Sequence, residues 1–262
     1  MSSADRFEYI KVSLAERVFT VTIARAEVRN ALHPPACAEL GAALDAFERR
    51  DDAAVAVITG DGDKAFSAGF DLRWAEAHPD TYQDPLVGSE IVRRKTIGKP
   101  VIAAVNGLAF GLGFELALAC DLIVAAPHAT FGLPEARVGL AAMAGGVVRL
   151  TQHIGPKRAL AFVLTGDPIS AEAGLAAGFV NEIATDGVIA CARRWALAIA
   201  ECAPLSLIAS KEMAYRYGEL PDMQAALDPR SYPSVMSVLG SEDAVEGRRA
   251  FIERRRPSWK GC

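Results

Sequence analysis

No two of the five cysteines, Cys37, Cys120, Cys191, Cys202 and Cys262, stand in C-x-x-C spacing, and their number is odd. That argues against a disulfide framework and a cysteine-bound zinc, and it fits a reducing compartment. The four histidines, His33, His78, His128 and His153, show no H-x-x-x-H spacing, so no metal site is expected from them. Positive charge is not in excess: the net charge is −4, without a long basic run, which disfavours nucleic acid as a partner. No apolar run is clean enough to span a bilayer. The most apolar stretch, residues 101–126, is interrupted by Asn106, Glu115 and Asp121 and reads as buried core. The start, MSSADRFEYI, lacks a basic-then-apolar leader pattern, and the terminal KGC has no cysteine four from the end for prenylation. The expectation is a soluble, cytoplasmic protein with no membrane partner. Two common nucleotide fingerprints are missing as well. Gly111-Leu112-Gly113 opens like G-x-G-x-x-G, but position 116 is leucine, and no G-x-x-x-x-G-K-[ST] occurs; nor does the hydrolase elbow G-x-S-x-G.

What is present is enough for a packed core. Of 262 residues, 51% are hydrophobic and 23% charged, which implies one large domain or one domain with an appended segment. Ile10, Val12 and Leu14 alternate with polar residues, as do Phe19, Val21 and Ile23, so a β-hairpin is expected around Ala15-Glu16-Arg17. Helical spacing at Leu40, Ala43, Leu44 and Phe47 predicts a helix over 36–50, after Pro34-Pro35. Buried strands are expected at 55–59, 101–105 and 122–126, with a further strand at FVNEI (179–183). Helices are expected over 84–97, on either side of Gly155-Pro156, and up to Gly178. From about residue 186 the pattern is helical almost throughout. Strands alternating with helices imply a mostly parallel α/β core followed by a helical tail.

Two segments share a form. KAFSAGFDL (64–72) follows the strand 55–59, and NGLAFGLGFEL (106–116) follows the strand 101–105. In each, small residues lead into a helix whose first N–H groups have no internal acceptor. Aimed at one point, two such loops make an oxyanion hole; taken singly, each reads more readily as a close-packed strand–helix corner. Glu115 sits among Phe114, Leu116, Ala117 and Leu118. A carboxyl in that setting is either satisfied structurally or has its pKa raised toward neutrality, where it exchanges protons. Glu135, after Pro134, read alone is a loop acid.

Together these motifs carry a likeness. RNAL (29–32), AFSAGFDL, VNGLAFGLGFELALACDLIVA, FGLPEARVGL, the AGG at 144–146, LTGDPISAEAGLAAGFVNEI (164–183) and SEDAVEGRRAFIERRRPSWKG (241–261) resemble, in order and spacing, the enoyl-CoA hydratase/isomerase (crotonase) superfamily. The resemblance implies an α/β spiral of ββα units over 1–200 and a C-terminal helical trimerisation segment over 201–262, with trimers or hexamers. It implies an acyl-CoA thioester as partner and no separate cofactor, coenzyme A being part of the substrate.

By motif position, Glu115 and Glu135 are the acid–base pair, and the backbone N–H groups of Phe70 and Leu112 form the oxyanion hole. Val28, Arg29, Ala31, Lys64, Ser67 and Ala68 are expected against CoA, Met143 close to the acyl group, and Gly69, Asp71, Gly111 and Pro134 among the residues that bind CoA or substrate. Phe251, Arg254 and Lys260 supply an aromatic and cationic contact from the C-terminal helix, in some members from a neighbouring subunit. The implied activity is reversible hydration of a 2-enoyl-CoA. The alternatives are a carnitinyl-CoA dehydratase-like enzyme, an enoyl-CoA isomerase (which would not need Glu115) and a non-catalytic acyl-CoA-binding scaffold. RNA binding, seen in one branch, would ask for a lysine-rich helix that 36–50 does not provide. This chain departs from the common pattern twice. Leu112 stands where many hydratases have glycine, and Met143 replaces a glycine close to the acyl group, where it is expected to narrow or reshape the pocket.

Overall fold

In the computed structural model, which describes residues 7–82, 88, 92 and 97–262, the alternating segments form a hairpin. Strands β1 (Ile10–Ala15) and β2 (Val18–Ile23) pair antiparallel from Ile10 opposite Ile23 to Ala15 opposite Val18. Only Glu16 and Arg17 join them. Both have positive φ, 50° and 65°, the backbone a two-residue turn needs to follow the strand twist.

The apolar runs become β3 (Val55–Gly60), β5 (Val101–Val105) and β7 (Leu122–Ala125), and β10 (Glu182–Ile183) is the paired part of FVNEI. They extend the hairpin into one sheet of order β1-β2-β3-β5-β7-β10, parallel from β2 onward. Every residue of β3 and β5 is buried, because helices cover both faces. Phe19 faces the helix Pro34–Glu48, where it stacks on Phe47 at 5.8 Å. Its neighbour Thr20 points the other way, beside Ile189 of the helix Val188–Ala200. The first of these helices begins two residues before the expected start. Pro34 and Pro35 occupy its first turn, where no N–H is needed, and His33 Nδ1 accepts the Ala36 N–H at 3.2 Å.

A second sheet was not evident in the sequence. Strands β4 (Ala65–Ser67), β6 (Leu108–Phe110), β8 (Thr130–Gly132) and β9 (Ile169–Ser170) lie in that order. Strands of two or three residues carry too little periodicity to read. Each of the first three follows a long strand of the first sheet: β3 leads to β4 and then the helix Leu72–Ala77, and β5 to β6 and then the helix Leu112–Ala119. This is the ββα repeat that the likeness implied. Asn106 stitches the layers where they part, donating to Gly60 O at 2.9 Å and Gly62 O at 2.7 Å.

The helix expected over 84–97 lies outside the described residues, apart from Gly88, Val92 and Ile97. Among the described residues no strand follows Ile183, and the chain beyond Ala200 is helical at Pro204–Arg216, Met223–Leu227, Pro233–Leu239 and Glu242–Glu253. Lys211 ties the first of these back to the core, through Asp121 at 2.7 Å and Lys99 O at 3.0 Å. Among the described residues no helix is long and apolar enough to cross a membrane.

Candidate active site

β4, β6 and β8 run parallel, so the chain leaves all three at one edge of the second sheet. Segments 68–71, 111–112 and 133–135 therefore emerge side by side, at the carboxyl ends of strands where α/β folds place ligand sites. A Cβ on Gly69 would fall 2.6 Å from Phe110 O and 3.3 Å from Leu112 N, and one on Gly111 would fall 3.0 Å from Glu135 Oε1. The three segments thus touch in that order. Gly69 and Gly111 also have φ of +96° and +51°, which side-chain-bearing residues rarely adopt.

The first segment is held from the RNAL turn. Leu32 N–H donates to Gly69 O at 2.7 Å, and Asp71 N–H to Leu32 O at 2.8 Å. This parallel bridge uses the groups on either side of Phe70 and turns the Phe70 amide to the opposite side. Ala68 N–H donates to Arg29 O at 2.9 Å, and Ser67 Oγ accepts the Gly69 N–H at 3.2 Å. Asp71 caps the helix Leu72–Ala77 and pairs with Arg25 at 3.0 Å, while Arg25 also bonds Ala31 O. The second segment opens the helix Leu112–Ala119, so the Leu112 N–H has no intrahelical acceptor. The Leu112 side chain is buried: where many hydratases carry glycine, this chain turns a side chain into its own core.

Glu115 stands in the first turn of that helix and is 3% exposed. Its Oε1 accepts two backbone N–H groups, Ala144 at 2.9 Å and Gly146 at 2.8 Å. Burial raises its pKa, opposed by those two hydrogen bonds and by the Arg149 charge. Gly146 is required there, since a Cβ would fall 2.6 Å from Glu115 Cγ. Glu135 follows Pro134, which precedes a short turn, Glu135–Val138. Burial, with the Glu115 charge adding to it, pushes the Glu135 carboxyl up to about 7. Its Oε2 is buried and has no hydrogen-bond partner. Met143 is half exposed on the turn that binds Glu115.

Arg29 and Lys64 line an open concavity of about 560 Å³ with Asp63, Leu108 and His128; Val28 lies in the turn just before Arg29. The C-terminal candidates do not line this concavity. Phe251 is 85% exposed, Arg254 closes its helix in left-handed conformation, and Lys260 pairs with Glu242 at 2.6 Å. Among the described residues no group of three His, Cys, Asp or Glu side chains is placed to hold a metal. Sequence reasoning did not assign the Ala144 and Gly146 amides, His128 or Arg149. The cluster of small residues before the helix Gly146–Ile154 was the available signal for the first pair.

Two sheets built from ββα units, with a buried and a half-buried glutamate at one sheet edge, are the features of a crotonase-type protein. Residues 14–262 match the family model described as enoyl-CoA hydratase/isomerase, and the chain belongs to that family. It is 41% identical over 253 residues to carnitinyl-CoA dehydratase of Salmonella typhi, spanning 93% of this chain and 95% of that protein. Among solved structures it superposes on enoyl-CoA hydratase from Mycobacterium tuberculosis H37Rv with a TM-score of 0.89 and 35% identity, covering 97% of this chain and 99% of the other. Enoyl-CoA hydratase from Bacillus anthracis gives 0.90 and 31%, covering 97% and 100%.

Proposed function

We propose that the protein is a hydratase-type lyase that adds water reversibly across the 2,3 double bond of a 2-enoyl-CoA thioester. The observation that carries this reading is the pair of unlike carboxyls. Glu115 has one oxygen gripped by two N–H groups, and Glu135 has a partnerless buried oxygen and a pKa of about 7. In the forward direction the second oxygen of Glu115 takes a proton from water as the water oxygen bonds to C3. The π electrons pass toward the thioester oxygen, which the Phe70 and Leu112 amides stabilise; each such donor contributes about 3 kcal/mol to the transition state. The electrons return as Glu135 delivers its proton to C2, giving the 3-hydroxyacyl-CoA. A carboxyl titrating near 7 supplies that proton in hydration and accepts it in dehydration. Arg29, Lys64 and His128 border the concavity suited to the CoA phosphates. Coenzyme A is part of the substrate, and the mechanism uses no other cofactor.

The 41% identity to a carnitinyl-CoA dehydratase favours a second reading, the same chemistry on a branched or charged acyl group. The test is a screen of 2-enoyl- and 3-hydroxyacyl-CoA thioesters followed by enoyl absorbance. Glu115→Gln and Glu135→Gln are each expected to lower kcat by about 10²- to 10⁴-fold. Turnover retained by both variants would overturn the two-carboxyl mechanism, and CoA-ester binding without turnover would identify a scaffold.

A further inference from the structure

Ala144 is bonded at both ends of its backbone. Its N–H donates to Glu115 Oε1 at 2.9 Å, and its carbonyl accepts Arg149 Nη1 at 3.1 Å. The same guanidinium donates through Nη2 to Val92 O at 2.5 Å, so one fork clamps two separate backbone segments. Gly145 lies between the two Glu115 donors at φ +95°, and a Cβ there would fall 2.5 Å from Arg149 Nη1. The guanidinium is thus packed against the turn itself. On its other side Arg149 lines a cavity of about 240 Å³ with Leu116, Cys120, Asp121, Lys211 and Tyr215. Asp121 in that cavity is already engaged by Lys211 and the Val101 N–H, so the hydrogen bonds of Arg149 go to carbonyls.

We propose that Arg149 is a positioning residue for Glu115: its guanidinium locks the turn 144–146 in the one conformation whose two N–H groups hold a single oxygen of that carboxylate. The inference rests on the reading of Glu115 as the group that activates water. A planar fork suits this task, because it fixes two acceptors at a set angle where an ammonium fixes neither. The charge acts in the same sense. Glu115 faces Glu135 from the turn after β8 and Arg149 from the helix Gly146–Ile154. The first carboxyl raises the pKa of the other, and the guanidinium opposes the rise that burial imposes on Glu115. Arg149 in turn faces Cys120, Tyr215 and His153.

The test compares Arg149→Met and Arg149→Lys with the native full chain. In Arg149→Met, kcat for hydration is expected to fall roughly 10- to 100-fold with KM nearly constant, and the acid limb of the kcat profile to move to higher pH. Arg149→Lys is expected to keep the native acid limb but not the native kcat. A folded Arg149→Met with native kcat and an unmoved acid limb overturns the proposal. Should that variant fail to fold by circular dichroism, Arg149→Lys decides: native kcat overturns it, and lowered kcat with the native limb supports it. A substrate-free readout separates this from the hydratase reading. The Glu115 carboxyl is titrated by ¹³C NMR, assigned with Glu115→Gln, and is expected to titrate higher in Arg149→Met. If the native protein hydrates no enoyl-CoA, the hydratase reading fails while this titration still supports or overturns the coupling.

Discussion

Glu135 holds its proton more tightly in the folded chain than in the unfolded one, since its carboxyl rises from 4.5 to about 7. Between those values the native state carries the extra proton, so stability falls as pH rises through that window. Glu135→Gln removes the ionisable group. It is expected to melt higher than the native protein at pH 8 and nearly equal to it at pH 4, by up to about 2 kcal/mol once partial exposure is allowed for, while hydration is lost. Equal melting temperatures at pH 8 would refute the electrostatic account. Met143 tests specificity at the same scale. It is half exposed beside the Ala144 amide, so Met143→Gly is expected to raise kcat/KM for straight-chain enoyl-CoAs relative to branched ones, with little change in melting temperature. An unchanged acyl profile would remove Met143 from the pocket. Among single residues, legibility followed local context. Glu115 was conspicuous because its own neighbours in sequence are apolar. Glu135 was not, because its burial comes from packing against Gly111 and the Glu115 helix, which lie distant in sequence. Arg149 was not singled out, because nothing local says that its fork reaches Ala144 and Val92.

The three aligned strand ends decide where these residues meet, and they depend on close approach between elements. Gly113 shows this most directly. A Cβ there would overlap Ser67 O and fall 2.7 Å from Ser67 Cβ, so the helix Leu112–Ala119 lies against β4 with no room for a methyl group. Gly113→Ala is expected to destabilise the fold by about 1–3 kcal/mol and to lower hydration by more than that loss explains, because it moves the Leu112 amide and Glu115 together. Denaturant unfolding and kcat on the same preparation check it, and native stability would refute the packing argument. The hairpin, the long parallel strands and the tail helices were legible because each has enough residues to show a period. The second sheet was not. Its strands gain their order from lying beside one another, not from their own composition. The expectation of loops running straight from β3 and β5 into helices therefore missed β4 and β6, the strands that bring the Phe70 and Leu112 amides to one edge.

At the scale of the whole molecule the apolar surface is uneven. Of the described large hydrophobic residues that are 66% or more exposed, Phe251, Ile252, Leu227, Leu239 and Met223, at 85%, 79%, 75%, 66% and 66%, lie on helices beyond residue 220, and Leu164, at 73%, lies outside the tail. Large exposed apolar residues gathered in one part of a chain mark a surface that another molecule covers, and closed rings of identical subunits are a common way to cover it. From this and the family likeness we propose residues 201–262 as the assembly segment, with a homotrimer or a pair of trimers as the expected state. The same proposal assigns Phe251 and Arg254, which do not line the concavity beside Arg29 and Lys64, to a neighbouring subunit's CoA. Phe251→Asp with Ile252→Asp is then expected to give smaller species in sedimentation velocity and a higher KM for acyl-CoA, with the spectrum of a folded α/β chain retained. A native protein that sediments as a monomer at tens of micromolar would refute assembly through this segment. An assembled variant with raised KM would keep the CoA contact but move the interface elsewhere on the tail.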